Sequence, residues 1–289
     1  MVAKYLLYPA SILSLIPTAH AGEAQQKLAY EVYAGGIHAV QTVIDVKITD
    51  GRYSFVMDAQ TRGFLGKLAP WKGTFESHGW VTGKDTKLQP ELHKSTTEWR
   101  EELDIKEYNY NKDGSFGSLH VTDIHHDREK RDPAKELTDQ TTDVLTSTLQ
   151  VLSDYNTTGQ CNGTAEVFDG KRRFRQEFQH NENVTLTASK YNIFDGEAAK
   201  CVVEVTPIAG KWHEKPRGWL SIQEQGRERG KMPTVWIGKI NEDGPAVPIK
   251  VRIKTAYGTL FMHLAEYESG DTHLIAKKRS KAIIKKAGE

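Results

Sequence analysis

Apolar and polar residues alternate over short runs along most of this chain, and turn dipeptides separate the runs. A period of two sends successive side chains to opposite faces, so each run reads as a strand with one face buried. Examples are Leu28–Tyr33, Val40–Ile48, Tyr53–Ala59, Ile105–Tyr110, Thr164–Phe168, Arg173–Phe178, Cys201–Thr206, Gly218–Gln223, Val235–Ile240 and Ile249–Thr255. Asp50-Gly51, Asp113-Gly114, Asp169-Gly170, Asp195-Gly196 and Asp243-Gly244 fall between or beside them. Asp-Gly readily supplies the positive φ of tight hairpins, so an antiparallel meander is predicted.

One segment keeps a different period. From Asp143 to Tyr155 the apolar residues Val144, Leu145, Leu149, Val151 and Leu152 follow helical spacing, with Thr141, Thr142 or Asp143 as the cap. The stretch from His125 to Leu137, rich in both charges and containing Pro133, is expected to be irregular. No repeat and no Gly/Ser-rich or Pro-rich linker divides the chain. The expected fold is mainly β: one large curved antiparallel sheet or incomplete, spiral-like β-barrel, with one short helix packed on it. A single β-rich domain is expected over residues 22–270, because either half alone would leave sheet edges and an apolar face uncovered.

The first residues do not fit that pattern. Lys4, the apolar run Tyr5–Ile16, Pro17 and the small-x-small triplet Ala19-His20-Ala21 make a three-part secretory signal. The run is short for a membrane span, and Pro17 would break a buried helix. Cleavage after Ala21 and export to the periplasm are expected, with no cysteine nearby to carry a lipid anchor.

Removing Lys4 with the leader leaves 38 basic and 38 acidic residues, a balance that argues against nucleic acid as a partner. The charge is unevenly placed. Six Lys or Arg and no acid lie between Lys277 and Lys286, so residues 271–289 read as a basic C-terminal tail. Such a tail is either a solvated end or a weak electrostatic contact with anionic membrane surface.

Cys161 and Cys201 are the chain's two cysteines, and in an oxidising compartment such a pair forms a disulfide. Chain entropy alone would give a loop of this size ~4 kcal/mol of stabilisation. Neither cysteine has flanking residues at zinc-ligand spacing.

Catalytic patterns are missing from the sequence: no Gly-x-Ser-x-Gly elbow, no phosphate-binding loop, no His-Glu-x-x-His. His120 with His125-His126-Asp127 is the one metal-like cluster, but in extended backbone the adjacent histidines point to opposite sides. Three Asn-x-Thr sequons, at Asn156, Asn162 and Asn183, would matter only in a glycosylating host. No catalytic residue, metal or cofactor is expected.

Two stretches stand out. Between Thr61 and Gly73 the apolar residues Phe64, Leu65, Leu68 and Trp71 are interrupted by Gly and Pro. This is either a loop plugging one end of the sheet or the lip of a ligand cavity, with Arg62 as a placed polar group. Val167–Phe174 contains Lys171-Arg172-Arg173, read as a hairpin with a charged turn or as a contact for an anionic headgroup.

Tyr30–His38, the Thr61–Gly73 segment, Cys161 with Phe168–Arg173, and Cys201 through Pro207 and Gly210 resemble domain-of-unknown-function family 3108, exported proteins of Gram-negative bacteria. The likeness runs from about residue 28 to about residue 213. It implies a periplasmic, β-rich protein and transfers no catalytic residues. At the level of fold it is similar to spiral-sheet envelope-integrity proteins and to lipoprotein carriers, whose half-open barrel shelters an acyl chain around a helix. The expectation is therefore a non-enzymatic protein of the cell envelope. It would bind a lipid or other apolar ligand on the concave face, with Arg62, Phe64, Leu65 and Trp71 at the mouth. The alternative is an interaction module that docks on an envelope protein partner through sheet edges and the basic tail.

Overall fold

The computed structural model describes residues 24–49, 51–83, 86–212, 219–255 and 258–279. The expected signal peptide and its cleavage site lie outside the described residues, as does the tail from Ser280 onward. The first arm of the fold runs β1 (Ala24–Ala34), β2 (Ile37–Thr49), β3 (Arg52–Thr61), helix α1 (Gly63–Leu68), β4 (Trp71–Thr82), β5 (Lys87–Trp99), β6 (Glu102–Tyr110), β7 (Phe116–Asp123) and β8 (His126–Arg131). Helices α2 (Lys135–Thr138) and α3 (Val144–Thr158) follow. The second arm comprises β9 (Gly163–Phe168), β10 (Arg172–Leu186), β11 (Gly196–Gly210), helix α4 (Trp219–Glu228), β12 (Thr234–Lys239), β13 (Ala246–Thr255), β14 (Gly258–Ser269) and β15 (Thr272–Ile275).

All the strands belong to one antiparallel sheet in the order β8-β7-β6-β5-β4-β3-β2-β1-β14-β13-β12-β11-β10-β9, with β15 beside β14. Each arm is a meander, and the β1–β14 pair joins them, with Tyr30 opposite Leu264 and Val32 opposite Met262. Alternation sets the buried face: Thr42, Ile44 and Val46 of β2 and Tyr53 and Phe55 of β3 turn inward. The sheet curls around α3, because that one helix touches β4, β5, β9 and β13, strands far apart in the sheet order. Leu145, Leu149, Val151 and Leu152 of α3 join Leu28, Tyr30, Ile44 and Phe55 and the inner residues of the second arm in one core.

The predicted helix is therefore present, capped by Asp143, whose side chain accepts from the amides of Leu145 and Thr146. Gly159, in the left-handed region at φ 66°, ends it. Cys161 and Cys201 form a disulfide with Cα atoms 6.2 Å apart, tying the lead into β9 to β11 across β10.

Several local expectations change. Of Gly218–Gln223, read as a strand, the described residues 219–223 fall on α4; within it the Gln223 side chain reaches both the amide and the carbonyl of Val205, so one buried amide does what a strand partner would. The stretch His125–Leu137, expected to be irregular, holds β8 and α2. Its strand is invisible to alternation because β8 is an edge with polar side chains on both faces. Besides α3 the described residues include the shorter helices α1, α2 and α4. Four of the five Asp-Gly glycines have positive φ, but Gly244 does not. The segment set apart as a tail from residue 271 contributes β15, a buried Ala276, and Arg279, which pairs with Glu31 and Glu266.

Candidate functional site

The two ends of the sheet, β8 and β9, are not paired with each other. The seam between the arms is closed at one end by aromatic side chains: Phe168 of β9 packs edge-on against Tyr108 and Phe116 with ring centroids 6.0 and 5.5 Å away. The Tyr108 hydroxyl donates to the Asp169 carbonyl at 3.0 Å. Towards the other end the seam opens into a cleft of about 650 Å³. Its walls are the start of β5 (Lys87–Pro90), the β6–β7 turn (Asp113–Ser115), the Asp139–Thr142 segment, one face of α3 and the first half of β9. The size falls in the usual range for ligand sites, roughly 300–1,000 Å³. The lining mixes apolar surface, from Leu88, Pro90, Val151 and Phe178, with hydroxyls, amides and the carboxylates of Asp113, Asp139, Asp154 and Glu166. Hydrogen bonds from Ser115 hold the Asp113 carboxyl below its ordinary range.

Two glutamines fasten α3 to both walls. Gln150 accepts from the Leu88 amide of β5 at 2.7 Å, and Gln176 of β10 accepts from the Ser147 hydroxyl at 2.7 Å. At the N-terminus of α3 the fully buried Asp143 also accepts from Ser77 of β4 at 3.0 Å and from the Thr146 hydroxyl at 2.5 Å. Thr146 meets the Tyr53 hydroxyl at 2.6 Å. Burial first, and the Asp143 charge second, push the Tyr53 phenol well above its ordinary range. His93 Nδ1 lies 3.5 Å from Asp143. These residues include Ser, His and Asp, but the aspartate stands between the other two and bonds the serine directly. A nucleophilic triad needs the histidine in the middle, so this network positions a helix.

The residues singled out from the sequence lie elsewhere. Arg62, Phe64 and Leu65 sit at the β3–β4 connection around α1, and Trp71 opens β4. Arg62 Nε donates to Gln41 at 2.7 Å, Phe64 is 65 % exposed, and Trp71 packs near Phe75, ring centroids 6.4 Å apart. None of the four lines the seam cleft. Trp71 borders a shallow depression with Thr61, Lys72, Glu98 and Arg100. The concave face they were expected to guard is occupied by α3. In the charged hairpin, Arg172 pairs with Asp169 and lies over the Trp212 ring, and Arg173 pairs with Glu166, so both already have protein partners. His126 bonds Asp123 at 2.8 Å, and among the described residues no group of three His, Cys, Asp or Glu could hold a metal ion.

The β3–β4 connection belongs to a larger feature that alternation did not reveal. In a meander every second connection falls at the same end of the sheet. At one end these are the β1–β2, β3–β4, β5–β6 and β7–β8 connections, and they or the strand residues flanking them carry Ile37, Phe64, Leu68, Trp99, Leu103 and Ile124. These are six of the ten large hydrophobic residues exposed among the described residues. The connections at the opposite end, β2–β3, β4–β5 and β6–β7, carry none among the described residues. The α1 helix buries no residue, and Phe64 and Leu68, one turn apart, lie outward with the exposed Lys67 beside them. The Arg100 guanidinium lies 5.7 Å from the Trp99 ring centroid.

A family model described as "Protein of unknown function (DUF3108)" matches residues 29–265. No curated protein matches the sequence. Among solved structures, a β-barrel-like protein of domain of unknown function DUF1849 from Brucella abortus is similar at 7 % identity, over 86 % of this chain and 99 % of that one, with a TM-score of 0.46.

Proposed function

The chain belongs to the DUF3108 family, and from that premise we propose that it is a non-enzymatic protein of the periplasm that serves the cell envelope by meeting lipid with the apolar rim of its barrel. One observation carries the proposal: among the described residues, exposed large hydrophobic side chains gather on or beside the connections at one end of the meander and are absent from those at the other. Apolar tips spread along a curved rim suit a continuous surface such as a bilayer better than a compact groove. Trp99 with Arg100 against its ring, and Lys67 between Phe64 and Leu68 on α1, have the amphipathic character favoured where hydrocarbon meets headgroups. In this proposal Arg62, Phe64, Leu65 and Trp71 contact lipid from the rim, and the concave face keeps α3 as its permanent occupant.

Burying the exposed part of each of the six side chains would contribute about 1 kcal/mol, so ~6 kcal/mol before the cost of association. That supports reversible interfacial binding and falls far short of a permanent anchor. The test is co-sedimentation with vesicles of phosphatidylethanolamine and phosphatidylglycerol. The full chain should pellet with them, and the Phe64→Ser/Leu68→Ser/Trp99→Ser variant should stay in the supernatant with an unchanged thermal midpoint. A wild-type chain that ignores the vesicles would remove the proposal.

A further inference from the structure

β8 and β9 are the two ends of the main strand order, and their open edges are guarded differently. β8 reads His-Asp-Arg-Glu-Lys-Arg, a run of charge of the kind that keeps an open edge from pairing. β9 begins with the uncharged Gly163-Thr164-Ala165. Its outer edge is occupied only farther along, where the Thr142 amide donates to the Glu166 carbonyl at 2.9 Å and the Phe168 amide donates to the Thr142 carbonyl at 3.1 Å. This makes a parallel bridge between Thr142 and Val167. The ladder stops there because Gln140, next in line, has φ 53° and turns away.

Backbone groups alternate between the two edges of a strand. Since the Glu166 carbonyl and the Phe168 amide face outward, the amide and carbonyl of Thr164 and the amide of Glu166 face outward too. Among the described residues these groups have no hydrogen-bond partner on that edge, and Thr164 is exposed. They open into the seam cleft, with the polar face of α3 as its floor. The disulfide at Cys161 and the close approach of Gly163 to Val151, where an added Cβ would come within 2.5 Å, fix the edge in place. The cleft is acidic: Asp113, Asp139 and Asp154 carry no ion pair among the described residues, against one cation, Lys87.

We propose that this cleft accepts an extended, lysine- or arginine-bearing segment of another protein chain, which adds to β9 as a further strand. Main-chain hydrogen bonds to Thr164 and Glu166 would supply affinity, and the carboxylates of Asp113, Asp139 and Asp154 would select for positive side chains. The site is at the opposite end of the barrel from the apolar rim and does not depend on lipid.

The experiment is fluorescence anisotropy on the full chain with its disulfide intact, using a labelled peptide of alternating lysine and threonine and its glutamate counterpart. The lysine peptide should bind and the glutamate peptide should not. Thr164→Pro removes the outward amide without touching a bond to β10, so it should weaken binding about tenfold or more, while Thr164→Val leaves it unchanged. Failure of the lysine peptide to bind, equal binding of both peptides, or full affinity in Thr164→Pro would each overturn the proposal. If Thr164→Pro does not fold, the exposed pair Asp113→Lys/Asp139→Lys replaces it. That variant should lose preference for the lysine peptide, and an unchanged preference would count against the site.

Discussion

Replacing Asp143 with alanine removes four accepted hydrogen bonds from one fully buried position: the amides of Leu145 and Thr146, and the hydroxyls of Ser77 and Thr146. Loss of the helix cap costs about 1–2 kcal/mol. The two hydroxyl bonds to a carboxylate would add about 1.5–3 kcal/mol each in isolation. Here the hydroxyls keep other partners, since Ser77 and Thr146 lie 2.9 Å apart and Tyr53 still reaches Thr146. About 2 kcal/mol for the pair is the better figure, giving ~3–4 kcal/mol for Asp143→Ala. Asparagine caps helices as well as aspartate, and the hydroxyls can rotate to accept from its amide, so Asp143→Asn should cost only ~1–2 kcal/mol. Urea unfolding of the oxidised protein, followed by far-ultraviolet circular dichroism and tryptophan fluorescence, measures both. Because α3 fills the sheet, the two signals should move together. An alanine variant within about 1 kcal/mol of wild type would refute the view that this network seats the helix.

Three further outcomes are expected. Reducing the Cys161–Cys201 bond, which closes a loop with a sequence separation of 40, should lower stability by up to ~4 kcal/mol, read as a shift in urea midpoint between oxidised and reduced protein. Burial, followed by the nearby Lys250 charge, holds the His263 imidazole down to about 4, so the unfolded chain binds a proton that the folded chain refuses between about pH 4 and 6.5. Stability should therefore fall as pH drops through that window, and His263→Phe should flatten the slope of thermal midpoint against pH. A Cβ added at Gly79 would lie 2.1 Å from the Gln89 carbonyl oxygen and 2.6 Å from the Tyr53 ring, so Gly79→Ala should destabilise by about 2–3 kcal/mol in the same urea assay.

Much of the architecture is local and so was legible in the sequence. Asp-Gly dipeptides mark hairpins because glycine readily takes the positive φ seen at Gly51 and Gly114, and Ile44, Val46, Tyr53 and Phe55 alternate because one face of a strand needs apolar side chains. Asp143 and the leucines of α3 announce a helix for the same reason. Where a segment's environment rather than its own pattern decides, reading by residue type misleads. β8 is a strand with six polar side chains, and α4 is a helix whose Leu220 and Ile222 alternate with polar residues as a strand would.

The candidate sites were legible only in fragments. Phe64, Leu65 and Trp71 stood out as an apolar interruption, but their kinship with Ile37, Trp99, Leu103 and Ile124 follows from which connections share an end of the sheet. His93 and Asp143 are fifty positions apart and meet because the sheet closes around a helix. The unguarded edge at Thr164 depends on Gln140 turning its chain away. By itself the sequence marked nine of the strands, most of the Asp-Gly hairpins, the central helix and the two cysteines, since backbone preference and side-chain period act over a few residues; β4, β5, β7, β8, β14 and β15 were not among the runs it singled out. Only the tertiary structure decided what lies inside the curl, where the seam stays open and which end is greasy, because those depend on contacts between residues that chain order keeps far apart.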